Sequence, residues 1–129
     1  HEGQLTYEAE GFHLVEDLGI WWKKETGGPL PLGCNVVRKD LGAETVRAVS
    51  RVLSESINYA LDHREEALDY AMTYARDLPR AKADTFVGMY VNDWTRSYGD
   101  AGREAVRTLL SRAGSAGIVP EMTDPEFVD

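Results

Sequence analysis

The pair His1-Glu2, standing shortly ahead of Thr6-Tyr7, is the first place in this chain where side-chain types could do chemistry. An imidazole titrates near neutral pH with little tuning, so His1 is the candidate general base for proton abstraction. A second chemistry is open to the same residue: an N-terminal histidine can chelate copper through its amine and ring nitrogen, with His13 or His63 completing the site. The single cysteine and the mostly helical pattern weigh against that reading. His63, in Asp62-His63-Arg64, reads as a helix-end residue that the helix dipole stabilises when protonated. His13 alternates with Phe12 and Leu14 in a predicted strand and reads as a surface or hydrogen-bonded, partly buried residue. Cys34 has no matched histidine and reads as a small buried hydrophobe. Asn92, Asp93 and Thr95 read as a cap and turn. Adjacent tryptophans cannot both face one side of a helix, so one of Trp21 and Trp22 should pack inward and the other line a surface or cleft. Neither a Gly-rich phosphate loop nor a Gly-x-Ser-x-Gly elbow is present.

These residues need elements to position them. Phe12 to Leu18 suits a strand leading into a turn, with Asp17 as N-cap of a short helix through Trp21-Trp22-Lys23-Lys24-Glu25 that Gly27 or Gly28 ends. Pro29 and Pro31 hold an extended path, Gly33 to Arg38 reads as a second strand, and Lys39-Asp40-Leu41-Gly42 as a turn. From Gly42 the period changes. Val46, Val49, Leu53, Ile57, Ala60 and Leu61 recur at three-to-four spacing and predict a long amphipathic helix. A second helix starts near Arg64, with Glu65 and Glu66 in its first turn, and stops before Pro79. A third covers roughly residues 83–91. A fourth runs from about Asp100 to Ala113, ended by Gly114 and Gly117, and a polar tail follows Pro120.

Composition bounds the class. The chain has 129 residues, 43% hydrophobic, with a formal net charge of -8. That charge opposes nucleic acid and anionic membrane surfaces as partners, both of which need a positive field. The basic residues alternate with acids along the predicted helices and form no stripe. One cysteine allows no internal disulfide, and no Cys/His spacing suggests zinc, so no metal is expected. No apolar run approaches the roughly 18 to 20 residues that span a bilayer, and a cytoplasmic location is expected. Two short strands would leave both edges open, so a sheet completed by residues outside this chain is expected. A first residue that is His and not Met suits a piece of a longer polypeptide.

Taken together, His1-Glu2-Gly3-Gln4-Leu5-Thr6-Tyr7, Val15-Glu16-Asp17-Leu18-Gly19-Ile20-Trp21-Trp22 and Thr26-Gly27-Gly28-Pro29-Leu30-Pro31-Leu32-Gly33 resemble the 1,4-dihydroxy-6-naphthoate synthase family of the futalosine route to menaquinone. Tyr59-Ala60-Leu61, Glu66-Ala67-Leu68-Asp69-Tyr70 and Tyr90-Val91-Asn92 fit the same pattern. The resemblance implies an α/β chain that is the C-terminal half of a two-lobed, type II periplasmic-binding-protein-like fold, mostly helical after residue 42. Residues 1–33 would finish the second lobe and its hinge crossing, and residues 34–129 would return to the first lobe. It implies a carbon–carbon lyase without metal or organic cofactor, which cleaves cyclic dehypoxanthinylfutalosine to 1,4-dihydroxy-6-naphthoate and a three-carbon sugar fragment. The family's proton-accepting histidine matches His1, and the N-terminal half of the enzyme would be the partner. A non-catalytic binding module of the same fold for an aromatic carboxylate, and the chorismate dehydratase of the same pathway, are the alternatives.

Overall fold

The computed structural model describes residues 3–75, 79–120 and 124–128. Seven α-helices follow in order among these residues: α1 (Gly3–Thr6), α2 (Leu18–Thr26), α3 (Ala43–Asp62), α4 (Arg64–Met72), α5 (Arg80–Tyr90), α6 (Asp93–Arg96) and α7 (Gly99–Ser115). A single 3-10 turn, Lys39–Leu41, precedes α3. The predicted helical pattern after residue 42 is thus what the chain adopts. The third helix starts three residues earlier than its apolar period suggests, because Pro79 supplies a fixed φ at its N-terminal boundary.

The two predicted strands are not there. Residues 12–17 and 29–38 carry no strand, and no strand occurs among the described residues. Alternating apolar residues favour an extended chain, but a strand exists only when a neighbour satisfies its amide and carbonyl groups. Phe12, Leu14, Val15 and Val36 accordingly stand exposed, Val15 almost completely at 97%.

The chain forms two compact units. The first joins His1–Val15 to Leu53–Arg96, and the second joins Glu16–Val52 to Ser97–Asp129. In the first unit α4 packs on α5 and buries Leu68 and Ala83. Arg64 pins that contact: its Nε donates to Asp84 Oδ1 at 2.9 Å and its Nη2 to the Asp84 carbonyl at 2.8 Å. Gly88 makes room for it, since a Cβ there would lie 3.2 Å from Arg64 Nη2. Arg80 at the start of α5 bridges back to Glu65, at 2.7 Å, and to Asp69. Arg96 pairs with Asp62. These ion pairs are exposed and individually weak, so the apolar contact under them holds the pair of helices.

In the second unit α7 buries Gly102 and Ala105. Its end is a Schellman-like turn. Ile118 N donates to the Ala113 carbonyl at 2.9 Å while Gly117 takes a positive φ of 68°. Gly114, read from sequence as a terminator, lies inside the helix.

Among the described residues only Trp22, Leu68, Ala83 and Ala105 are buried hydrophobic residues. The 20-residue α3 has the predicted apolar face but no buried residue. Val49 and Leu53 on that face are 46% and 39% exposed.

Candidate functional site

The element that begins with the candidate base is short. His1 and Glu2 lie outside the described residues; the described part of their motif, Gly3–Thr6, is one turn of helix continued by Tyr7 N donating to the Gly3 carbonyl at 3.0 Å. Gly11, at φ 79°, reverses the chain so that Phe12 N reaches the Tyr7 carbonyl at 2.8 Å. Lys82 of α5 donates to the Leu5 carbonyl at 3.4 Å and ties this turn to the first unit. Tyr7 donates to Glu8 Oε1 at 3.2 Å, and the carboxylate's charge raises the phenol above its ordinary pKa. The motif that resembles the family's proton acceptor is therefore followed by a compact turn in which Tyr7 keeps its proton near neutral pH.

The second motif is built around Trp22 in the second unit. Asp17 accepts from Ile20 N at 2.9 Å and starts α2 as the sequence predicts. Gly27, at φ 78°, ends it, and its amide donates to the Lys23 carbonyl. Thr26 Oγ1 donates to the Trp22 carbonyl at 2.9 Å and accepts from Gly28 N at 3.2 Å. Trp22 Nε1 donates to the Pro29 carbonyl at 3.1 Å, folding Gly-Gly-Pro back over the helix. The indole satisfies its one polar atom while its rings are buried at 7% exposure. Trp21 is 43% exposed, with its rings 6.4 Å from those of Trp22. The inward and outward division expected of the pair is what the helix imposes.

Arg112, from the last turns of α7, lies with its guanidinium 5.4 Å from the Trp22 ring centroid. Ninety residues separate the two, so no local signal in the sequence could have paired them. Tyr98 is similar. Its phenol is raised above its ordinary pKa, first by burial and then by the charge of Cys34. Cys34 itself is exposed, against the buried role read from sequence, because the segment carrying it gains no covering strand.

The remaining candidates divide simply. His13 is exposed. His63 closes α3: its amide and its Nδ1 both meet the Tyr59 carbonyl, at 2.8 and 3.0 Å, and its ring stacks on Tyr59 at 4.1 Å. Asn92 and Thr95 cap α5. Asn92 Nδ2 donates to the Gly88 and Met89 carbonyls at 3.2 and 3.3 Å, and Thr95 Oγ1 to that of Tyr90 at 2.9 Å. Among the described residues no group of three His, Cys, Asp or Glu side chains is placed to hold a metal ion, and no helix is long and apolar enough to cross a membrane.

What the fold and motifs define is a helical part-fold that carries a family's indole-and-proline turn and the turn that follows its His-Glu motif. The chain belongs to the family described as menaquinone biosynthesis, whose model matches residues 1–115. It is 40% identical over 128 residues to a Thermus thermophilus protein named 1,4-dihydroxy-6-naphtoate synthase, matching 99% of this chain and 47% of the relative. A Streptomyces coelicolor protein of the same name is 37% identical over 122 residues, matching 95% of this chain and 43% of that protein. The crystal structure of an Archaeoglobus fulgidus protein superimposes with a TM-score of 0.85 at 40% identity, covering 92% of this chain and 45% of that one. The chain spans about half the length of the curated relatives it matches.

Proposed function

We propose that this chain is the C-terminal half of a carbon–carbon lyase, a 1,4-dihydroxy-6-naphthoate synthase that acts on cyclic dehypoxanthinylfutalosine in the cytoplasmic futalosine route to menaquinone. The observation that carries the reading is the 40% identity over 128 residues to the Thermus thermophilus protein of that name. The complete enzyme is a two-lobed, type II periplasmic-binding-protein-like molecule, with residues 1–33 ending the second lobe and residues 34–129 belonging to the first. Its N-terminal half is the partner this chain needs, and the uncovered apolar residues on α3 and around residues 12–20 support that need.

In this reading His1 is the general base. The neutral imidazole takes a proton from a substrate carbon made acidic by adjacent carbonyl groups, and lobe closure keeps water from the site. No metal or organic cofactor takes part. Protonation of the imidazole removes the base, so the rate should fall on acidification.

The test combines this chain with the N-terminal half of the Thermus thermophilus relative and follows release of the naphthoate. Turnover that is lost in His1→Ala while substrate affinity is kept supports the lyase. Binding of substrate with no turnover in either form would make the assembly a binding module and overturn the proposal.

A further inference from the structure

The family's model stops at residue 115, yet residues 124–128 contact both α7 and the Lys39–Leu41 turn of the second unit. Phe127 lies edge-on to Tyr98, with ring centroids 6.1 Å apart at 89°. The guanidinium groups of Arg103 and Arg107 lie 5.4 and 5.3 Å from the same ring's centroid. Arg107 Nε also meets Asp124 Oδ1 at 2.6 Å. On the other side, Glu126 Oε1 meets Lys39 Nζ at 2.7 Å. Lys39 opens the 3-10 turn whose last residue is followed by Gly42, at φ 81°, and then by α3.

We propose that residues 124–128 are a clasp, anchored on α7 by Phe127 and Asp124, that holds the Lys39–Leu41 turn through Glu126 and so restrains the start of α3 within the second unit. An exposed ion pair alone contributes little, since two mobile side chains must be ordered to form it. Here that cost is met beforehand. The aromatic ring sits against two cations and another ring, so the tail is already positioned when Glu126 reaches Lys39. Charge and ring supply different parts of one device: Phe127 determines where the tail lies, and Glu126 determines what it restrains. The clasp stands independently of the reaction proposed above.

The restrained turn reports on itself through three hydrogen-bonded amides. Leu41 N donates to the Arg38 carbonyl at 3.4 Å, Gly42 N to that of Lys39 at 3.2 Å, and Val46 N to that of Gly42 at 3.0 Å. Hydrogen exchange of the 129-residue chain should speed up about tenfold at these amides in Phe127→Ala, with the last turns of α7 as an internal reference. Lys39→Glu should give a similar acceleration, and combining it with Glu126→Lys should restore the slow rate. Exchange at the three amides that stays unchanged in Phe127→Ala and Lys39→Glu overturns the clasp. Should Phe127→Ala fail to fold, the charge reversal decides: acceleration by Lys39→Glu with rescue by the swapped pair supports the clasp, and anything else overturns it.

Discussion

Asp40 is held by its neighbour two residues back. Arg38 Nε donates to Asp40 Oδ1 at 2.9 Å, and its other arm reaches Oδ2. The paired guanidinium lowers the Asp40 carboxyl below its ordinary value, and the Arg38 value is raised in return. The sign of the stability effect follows from the depressed folded value. The pair's contribution is fully present above the ordinary aspartate range and disappears as pH falls through the lowered folded value. Both side chains are largely exposed, so the effect belongs to the local turn and not to the chain's global stability. A carboxyl-carbon NMR titration should place Asp40 below an ordinary aspartate, and Arg38→Gln should return it upward. An Asp40 that titrates as an ordinary aspartate in both forms would dissolve the pair. Other single residues were legible from the sequence: Asp17 as a cap, and a left-handed helix end at Gly27 or Gly28 that falls on Gly27, need only local chemistry. Arg112 over Trp22 and Phe127 against Tyr98 were not, because nothing near either residue encodes its partner.

The helices were readable because a helix satisfies its own backbone. Capping chemistry placed α2, and periodicity placed α3 and α7, close to where they lie, whereas α4, expected to run on toward Pro79, ends at Met72. The strands failed for the converse reason: alternation at Phe12, Leu14 and Val36 describes one side of a pairing whose other side the described chain does not supply. The one-turn helices α1 and α6 escaped notice because four residues cannot show a period. Burial separates the helices further. Leu68 on α4, at 3% exposure, is the most buried side chain named in either unit and sits where α4 meets α5. Leu68→Ala should destabilise the chain by about 2–5 kcal/mol in denaturant unfolding, the range for a large-to-small core change. A loss under about 1 kcal/mol would mean that the Arg64 and Arg80 links, and not apolar packing, hold the two helices together.

A chain of 129 residues that buries so few large side chains among its described residues has apolar surface left for something else. The face of α3 is the clearest case. It has the spacing of a core-facing helix, yet Val49 and Leu53 are partly solvated and no α3 residue is buried. Relatives of twice the length supply the natural candidate for its cover, the N-terminal half of the proposed lyase. If that half seats on α3, covering the part of Val49 and Leu53 that is still exposed contributes roughly 1 kcal/mol each, and charges placed there would add a desolvation cost, so replacing them should weaken association by at least about tenfold. The measurement is the native mass of this chain mixed with the N-terminal half of the Thermus thermophilus relative. Val49→Glu combined with Leu53→Glu should abolish the complex at concentrations where the unaltered chain forms it, while Arg51→Glu, an exposed position on the same helix, should not. A complex that survives the double substitution moves the interface off α3 but leaves the half-enzyme reading intact. Failure of the unaltered chain to associate at all removes the partner and, with it, the reason offered here for an amphipathic helix that faces solvent.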